Sequence, residues 1–146
     1  MIKLRKFSLS DLEKVMEIEK ASFPNRDAYP NSLFEKYYKE YPKGFIIAED
    51  GKEIVGYTIG KLKNSQAEII SLAVKPDFRQ KGIGTRLTNF LINHFKKGGV
   101  IEIFLHVRTK NQEGISFYQN LSFKILKTIK NYYRNRDDAF LMKKEI

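Results

Sequence analysis

Residues 74–85 read Val74-Lys75-Pro76-Asp77-Phe78-Arg79-Gln80-Lys81-Gly82-Ile83-Gly84-Thr85. An apolar strand pattern, Ala67 to Val74, ends at this stretch, and an apolar stripe at helical spacing, about Ile83 to Lys97, begins there. What lies between is a strand-to-helix turn carrying two glycines and several cations. The first amides of such a helix have no intrahelical acceptor, and the helix dipole places positive potential on them. Glycines remove the Cβ atoms that would hold a pyrophosphate away from the backbone, and Arg79 and Lys81 add formal charge. The spacing is neither G-x-G-x-x-G nor G-x-x-x-x-G-K-[ST], so neither dinucleotide nor P-loop chemistry is indicated. A bare G-x-G is equally well a tight turn with incidental glycines, and the rest of the chain has to decide.

Upstream, Ile2 to Phe7 alternates as a strand, and Ser10 with Glu13 reads as a capping box ahead of a helix running to about Ser22. Phe23-Pro24-Asn25 ends that helix, because the residue before proline is pushed out of the α region. A second helix, about Ser32 to Tyr41, stripes Leu33, Phe34, Tyr37, Tyr38 and Tyr41. Strands at Phe45 to Glu49 and Glu53 to Leu62 flank the hairpin signal Asp50-Gly51. Downstream of the glycine turn, Gly98-Gly99 closes the long helix and Ile101, Ile103, Leu105 and Val107 alternate as a strand. A short helix near Glu113 to Leu121 follows, then strands at Phe123 to Ile129 and Ala139 to Lys143. The expected fold is a single α/β domain over residues 1–146.

The 146 residues suffice for one core, and no apolar run approaches the length of a membrane span. No signal core follows the basic start, so the cytoplasm is the expected compartment. The absence of cysteine excludes disulfides and a cysteine nucleophile, and two histidines make no structural zinc site. Charge is uneven. Residues 1–74 hold 12 Lys/Arg against 11 Asp/Glu, and residues 75–146 hold 15 against 6. A basic half calls for a polyanionic partner, either nucleic acid or a phosphorylated cofactor. No helix-turn-helix, zinc-finger or RNP-type string accompanies it, which argues against a basic nucleic-acid-binding module.

Three segments together resemble one family. Arg79-Gln80-Lys81-Gly82-Ile83-Gly84 is similar to the R/Q-x-x-G-x-G/A motif of GNAT acetyltransferases. Asn111 to Tyr118, then Leu121-Ser122-Phe123, resembles that family's N-x-x-A-x-x-x-Y…G-F segment. Asn131-Tyr132-Tyr133, followed by Asp138 to Met142, resembles the end of RimI-like and N-terminal (Nα) acetyltransferase subunits, and Phe23-Pro24 is similar to that branch too. Gly114 stands where the family usually has Ala, and Ser122 where it usually has Gly.

The resemblance implies the GNAT fold, a mixed and mostly antiparallel sheet of about seven strands with about four helices. It implies acetyl-CoA as cosubstrate, without a metal. Amides of Lys81, Gly82, Ile83, Gly84 and Thr85 would hold the pyrophosphate within the Arg79–Thr85 loop, Gln80 included. The main chain of Leu72, Ala73 and Val74 would pair with the pantetheine arm, and Asn111 would contact the cofactor. Tyr118 falls where the family places a tyrosine near the sulfur, and a phenol of pKa about 10 stays protonated at neutral pH and can act as the acid that donates to the departing thiolate. Two residues are candidates for a base acting through an ordered water: His106, in Leu105-His106-Val107-Arg108, and Glu68, in Ala67-Glu68-Ile69.

Phe23, Pro24, Tyr29, Tyr132 and Tyr133 resemble the peptide-holding loops of the N-terminal branch, which implies a protein N-terminus as acceptor and a ribosome or auxiliary subunit as candidate partners. The chemistry agrees. An α-amine of pKa about 7.7–8.0 is partly neutral at pH 7, whereas a lysine needs roughly 3.4 kcal/mol more to reach its neutral form. Protein lysines and small-molecule amines remain the alternative acceptors.

Overall fold

The computed structural model describes residues 1–23 and 30–146; Pro24 and Tyr29, two of the expected acceptor-side residues, lie outside them. The strands are β1 (Ile2–Lys6), β2 (Phe45–Asp50), β3 (Glu53–Lys63), β4 (Gln66–Val74), β5 (Glu102–Arg108), β6 (Lys124–Ile129) and β7 (Ala139–Glu145). The helices are α1 (Leu12–Ser22), α2 (Asn31–Glu40), α3 (Ile83–Lys97) and α4 (Gln112–Asn120). One seven-stranded sheet runs in the order β1-β2-β3-β4-β5-β7-β6. Only β4 and β5 are parallel, joined by the α3 crossover. The expected mixed sheet with four helices is the fold that forms.

The start of α1 differs from the expected Ser10–Glu13 box. A short 3-10 turn, Leu9–Asp11, precedes α1, and the box closes two residues earlier. The Ser8 N–H donates to Asp11 Oδ2 at 2.9 Å, while Ser10 Oγ meets only Ser8 Oγ, at 3.1 Å. The reason is Arg5. Its guanidinium grips both Asp11 oxygens, at 2.8 and 2.9 Å, and reaches Glu49 at 3.0 Å. That fork fixes Asp11, rather than Glu13, as the carboxylate that turns back, and it holds the Asp11 carboxyl below its usual range despite partial burial.

The sheet has two covered faces. On one, α3 and α4 pack Ile83, Leu87, Leu91, Phe95 and Ile115 against Ile46, Ile69, Ile103 and Leu105. On the other, α1 and α2 pack Val15, Ile18 and Phe34 against Phe45, Ile47, Tyr57 and Ile59. Two irregularities in β4 position the site. The β3–β4 register shifts so that Ile59 faces Ser71 and Gly60 faces Ile69, leaving Ile70 as the extra residue of a bulge. The β4–β5 ladder has only three pairs, Ala67–Ile103, Glu68–Phe104 and Ile69–Leu105, and the strands part beyond them. Both features fall at the same level, so the sheet splits where the bulge bends β4.

Candidate active site

The cofactor side begins at the glycine turn. Gly82 is the N-cap of α3 in the left-handed region, at φ 81°, and Gln80 shares that region at φ 61°. The first bond of the helix runs from the Arg86 N–H to the Gly82 carbonyl, at 3.0 Å. The amides of Ile83, Gly84 and Thr85 therefore lie ahead of the helix ladder. A Cβ built on Gly82 would meet nothing within 4 Å, so this corner opens to free space. These features fit a pyrophosphate-bearing group such as coenzyme A.

Gly84 has a different reason for being glycine. A Cβ there would sit 3.3 Å from the Phe117 ring of α4 and 4.0 Å from the Leu72 side chain. The α3 start, β4 and α4 thus converge on one point, and the missing side chain lets them. Arg79 turns inward: its Nε donates to the Val74 carbonyl at 2.9 Å and its Nη2 to Ser22 Oγ at 3.3 Å. The guanidinium staples the loop to the end of β4 and to the last residue of α1. Lys81 remains exposed, its ammonium 5.4 Å from the Phe78 ring centroid. Leu72, Ala73 and Val74 pair with β3 through Thr58, Tyr57 and Gly56 and lie beyond the last β5 pair.

Asn111 is the N-cap of α4, its Oδ1 accepting the Gly114 N–H at 2.9 Å. A Cβ on residue 114 would stand 2.6 Å from Asn111 Nδ2, so Gly114 makes room for the cap. Tyr118 lies on the α3–α4 face, edge-on to Phe117 and Phe123 at 5.0 and 5.5 Å. Burial pushes its phenol well above its ordinary value.

The residues expected on the acceptor side lie across the sheet. Ala67 and Ile69 belong to the α3–α4 core, as do Ile103, Leu105 and Val107; strand alternation turns Glu68 and His106 to the α1–α2 face. There His106 Nδ1 meets Glu68 Oε2 at 3.1 Å, with side chains 20% and 33% exposed, part-buried yet open to an entering group. The structure joins the two candidate bases into one unit. Tyr132 stacks flat on the imidazole, its centroid 4.4 Å away and its plane tilted by 10°. Tyr133 meets Tyr132 edge-on at 4.9 Å and turns its own ring to Arg108, 3.8 Å from the centroid. Burial and then Glu68 raise the Tyr132 phenol.

Tyr37 of α2, which the sequence offered only as part of an apolar stripe, belongs here. Its phenol is raised first by burial, then by Glu68, Tyr132 and Glu40, so it stands within electrostatic reach of the pair. Phe23 and Ile70 flank the same face, packed at the edge of the α1–α2 core. Arg108 and Asp137 were also missed; nothing in their local sequence marks them. Among the described residues no three His, Cys, Asp or Glu side chains group as a metal site, and no helix is long and apolar enough to cross a membrane.

Comparison with known proteins agrees with this geometry. The model of the acetyltransferase (GNAT) family matches residues 12–123. An uncharacterized N-acetyltransferase of Methanocaldococcus jannaschii is 38% identical over 143 residues, covering 97% of this chain and 90% of that protein. The N-alpha-acetyltransferase of Sulfolobus acidocaldarius is 30% identical over 152 residues, covering 95% and 89%. Arabidopsis thaliana Naa50, solved in complex with the bisubstrate analogue CoA-Ac-MVNAL, superposes with a TM-score of 0.84 at 29% identity, covering 99% of each chain. With a family match over most of its length and relatives of 30% identity or more that span it, the chain belongs to the GNAT family and is an N-acetyltransferase.

Proposed function

We propose that the protein transfers acetyl from acetyl-CoA to the α-amino group of protein N-termini, by direct attack in a ternary complex. The observation that carries this reading is the Glu68–His106 pair, roofed by Tyr132, at the point where β4 and β5 part. Its support from relatives is that similar proteins are named N-alpha-acetyltransferases and that the Naa50 structure holds a coenzyme A–peptide conjugate.

Acetyl-CoA supplies the thioester carbonyl and a thiolate leaving group. The Arg79–Thr85 loop grips the pyrophosphate with its amides, and Arg79 keeps the loop seated on β4. The open edge of Leu72, Ala73 and Val74 aligns the pantetheine arm, and the Asn111 amide group adds a contact at the start of α4. Glu68 accepts from His106 Nδ1–H and so selects the tautomer whose Nε2 carries a lone pair. His106 is then the base and Glu68 its orienting partner. Nε2 takes the proton of the incoming ammonium, directly or through solvent, and the low pKa of an α-amine keeps that task small. Tyr118 keeps its phenol protonated and supports the sulfur by a hydrogen bond. A thiol of ordinary pKa about 8.5 is the stronger acid of the two, so the phenol stabilises the thiolate while solvent completes its protonation.

Phe23, Ile70, Tyr37 and Tyr132 form an apolar, aromatic rim for the first residue, which favours Met, Ala or Ser over a charged side chain. The test uses two peptides, one with a free N-terminus and no lysine, the other blocked at its N-terminus with an internal lysine. Acetylation of the first and little of the second is the expected result. The reverse preference would assign the protein to lysines, and rejection of both together with turnover of a polyamine would assign it to small amines.

A further inference from the structure

Arg108 ends β5 two residues after His106, and alternation puts both on the acceptor face. Its Nη1 donates to Asn135 Oδ1 at 2.9 Å and to Asp137 Oδ2 at 2.8 Å. The guanidinium carbon lies 3.8 Å from the Tyr133 ring centroid. The side chains of Arg108 and Asp137 are each only 18% exposed, and Lys110 grips the other Asp137 oxygen at 3.1 Å. The segment they hold, residues 130–138, is tied at several other points. The Thr109 N–H donates to the Asp138 carbonyl at 3.1 Å, the Asn131 N–H to Asp138 Oδ1 at 3.0 Å, and the Tyr133 N–H to the Asp137 carbonyl at 3.2 Å. Two of its non-glycine residues, Asn131 and Arg136, sit in the left-handed region at φ 54° and 69°. Such conformations persist only where surrounding contacts over-determine them. From Arg108 a continuous line of ring contacts runs through Tyr133 and Tyr132 to His106.

We propose that Arg108 is the positioning residue of the acceptor side: it pins the 130–138 loop so that Tyr132 lies flat on His106 and forms a fixed wall of the acceptor cleft. Both bonds leave Nη1, and a lysine ammonium has donors enough for them; what it lacks is the planar face that lies against the Tyr133 ring while the N–H groups point outward in the plane. What the wall faces rests on the acceptor reading given above, but the wall itself does not.

The experiment therefore carries one readout with no substrate. The ring current of Tyr132 displaces the His106 ring proton signals, which are assigned by their loss in His106→Gln. In Arg108→Ala that displacement should vanish, and KM for an N-terminal peptide should rise about tenfold while KM for acetyl-CoA holds, since small misplacements in a site carry large kinetic penalties. Arg108→Lys should recover part of both. A folded Arg108→Ala protein with unchanged His106 signals and peptide KM overturns the proposal. Equal rises in both KM values with a lowered melting temperature overturn it too, because that is the signature of a merely structural residue. Should Arg108→Ala fail to fold, Asn135→Ala with Asp137→Ala strips the loop of the same partners, and the same two readouts decide. If the peptide proves not to be the acceptor at all, the His106 signals still show whether Arg108 holds the loop in place.

Discussion

Residues 79–85 and residues 130–138 are both surface loops with left-handed residues, and both border the same split in the sheet. They are built on opposite plans. The first offers main chain: amides ahead of a helix, a glycine corner open to space, and an arginine turned inward to seat it. The second offers a side chain, Tyr132, and the main chain beneath it is held by Arg108, Asp137 and Asp138. A constant phosphate group suits a backbone cradle, because amides at a helix start recognise it whatever side chains surround them. An acceptor that varies in its first residue suits a wall of rings, whose apolar faces take different side chains without a set hydrogen-bond pattern. Substitutions should therefore separate: side chains control the acceptor side, and backbone conformation controls the cofactor side.

The sharpest break of that pattern would come from His106. His106→Gln should lower kcat by about 10²- to 10⁴-fold, the usual range for a general base, and leave the Kd for coenzyme A unchanged by calorimetry. A loss of coenzyme A affinity would mean that the two sides are one. Tyr118→Phe comes next, with kcat down by about 10²-fold. Its raised phenol has a sign consequence: a folded value above the ordinary one keeps the proton on through neutral and moderately alkaline pH. The alkaline limb of the pH–rate profile therefore belongs to another group, and Tyr118→Phe should lower the whole curve without moving that limb. A displaced limb would show that the phenol titrates during turnover.

The cofactor side is tested through its backbone. Gly82→Ala adds a Cβ that meets no protein neighbour, so its effect comes from holding φ 81° and from standing between the backbone and the pyrophosphate. That conformation costs a non-glycine residue about 1–2 kcal/mol, and coenzyme A should bind about tenfold more weakly. Lys81→Ala should weaken binding less and flatten its salt dependence, because an exposed ammonium acts through a screened field. If the lysine change proves the larger, the cradle is a charge site and the contrast between the loops fails.

The same contrast explains what was legible in the sequence. The glycine turn was readable because its function lies in local conformation, which Gly82 and the start of a helical stripe announce within a few residues. Glu68 and His106 were each readable as a candidate base, but that they share a face and meet at 3.1 Å follows only from the β4–β5 register. Arg108 was not readable, since its partners lie 27 and 29 positions downstream. Tyr37 was hidden for another reason: on an amphipathic helix a site tyrosine and a rim tyrosine share the same spacing. The displaced cap at Ser8 has the first cause again, because Asp11 was chosen by Arg5 from a neighbouring strand.

The smallest effect concerns α4, which packs on the α3 face of the sheet with Asn111 as its N-cap and Tyr118 in its last turn. Its end is a Schellman motif: the Ser122 N–H donates to the Gln119 carbonyl at 2.9 Å and the Phe123 N–H to the Tyr118 carbonyl at 3.0 Å. The Phe123 ring, 2% exposed, packs edge-on to Tyr118 as the apolar contact of that motif. Ser122 occupies the left-handed position, at φ 73°, where glycine has no Cβ to strain. Ser122→Gly relieves that strain but gives the unfolded chain more freedom, so the net gain should be about 0.5–1 kcal/mol. For a chain of this size that raises the melting temperature by about 1.5–3 °C. Because the motif already fixes Phe123 against Tyr118, kcat and both KM values should stay as they are. A changed kcat at unchanged KM would mean that the strained serine tilts the Tyr118 phenol, and α4 would then count as part of the acetyl-transfer machinery rather than its mount.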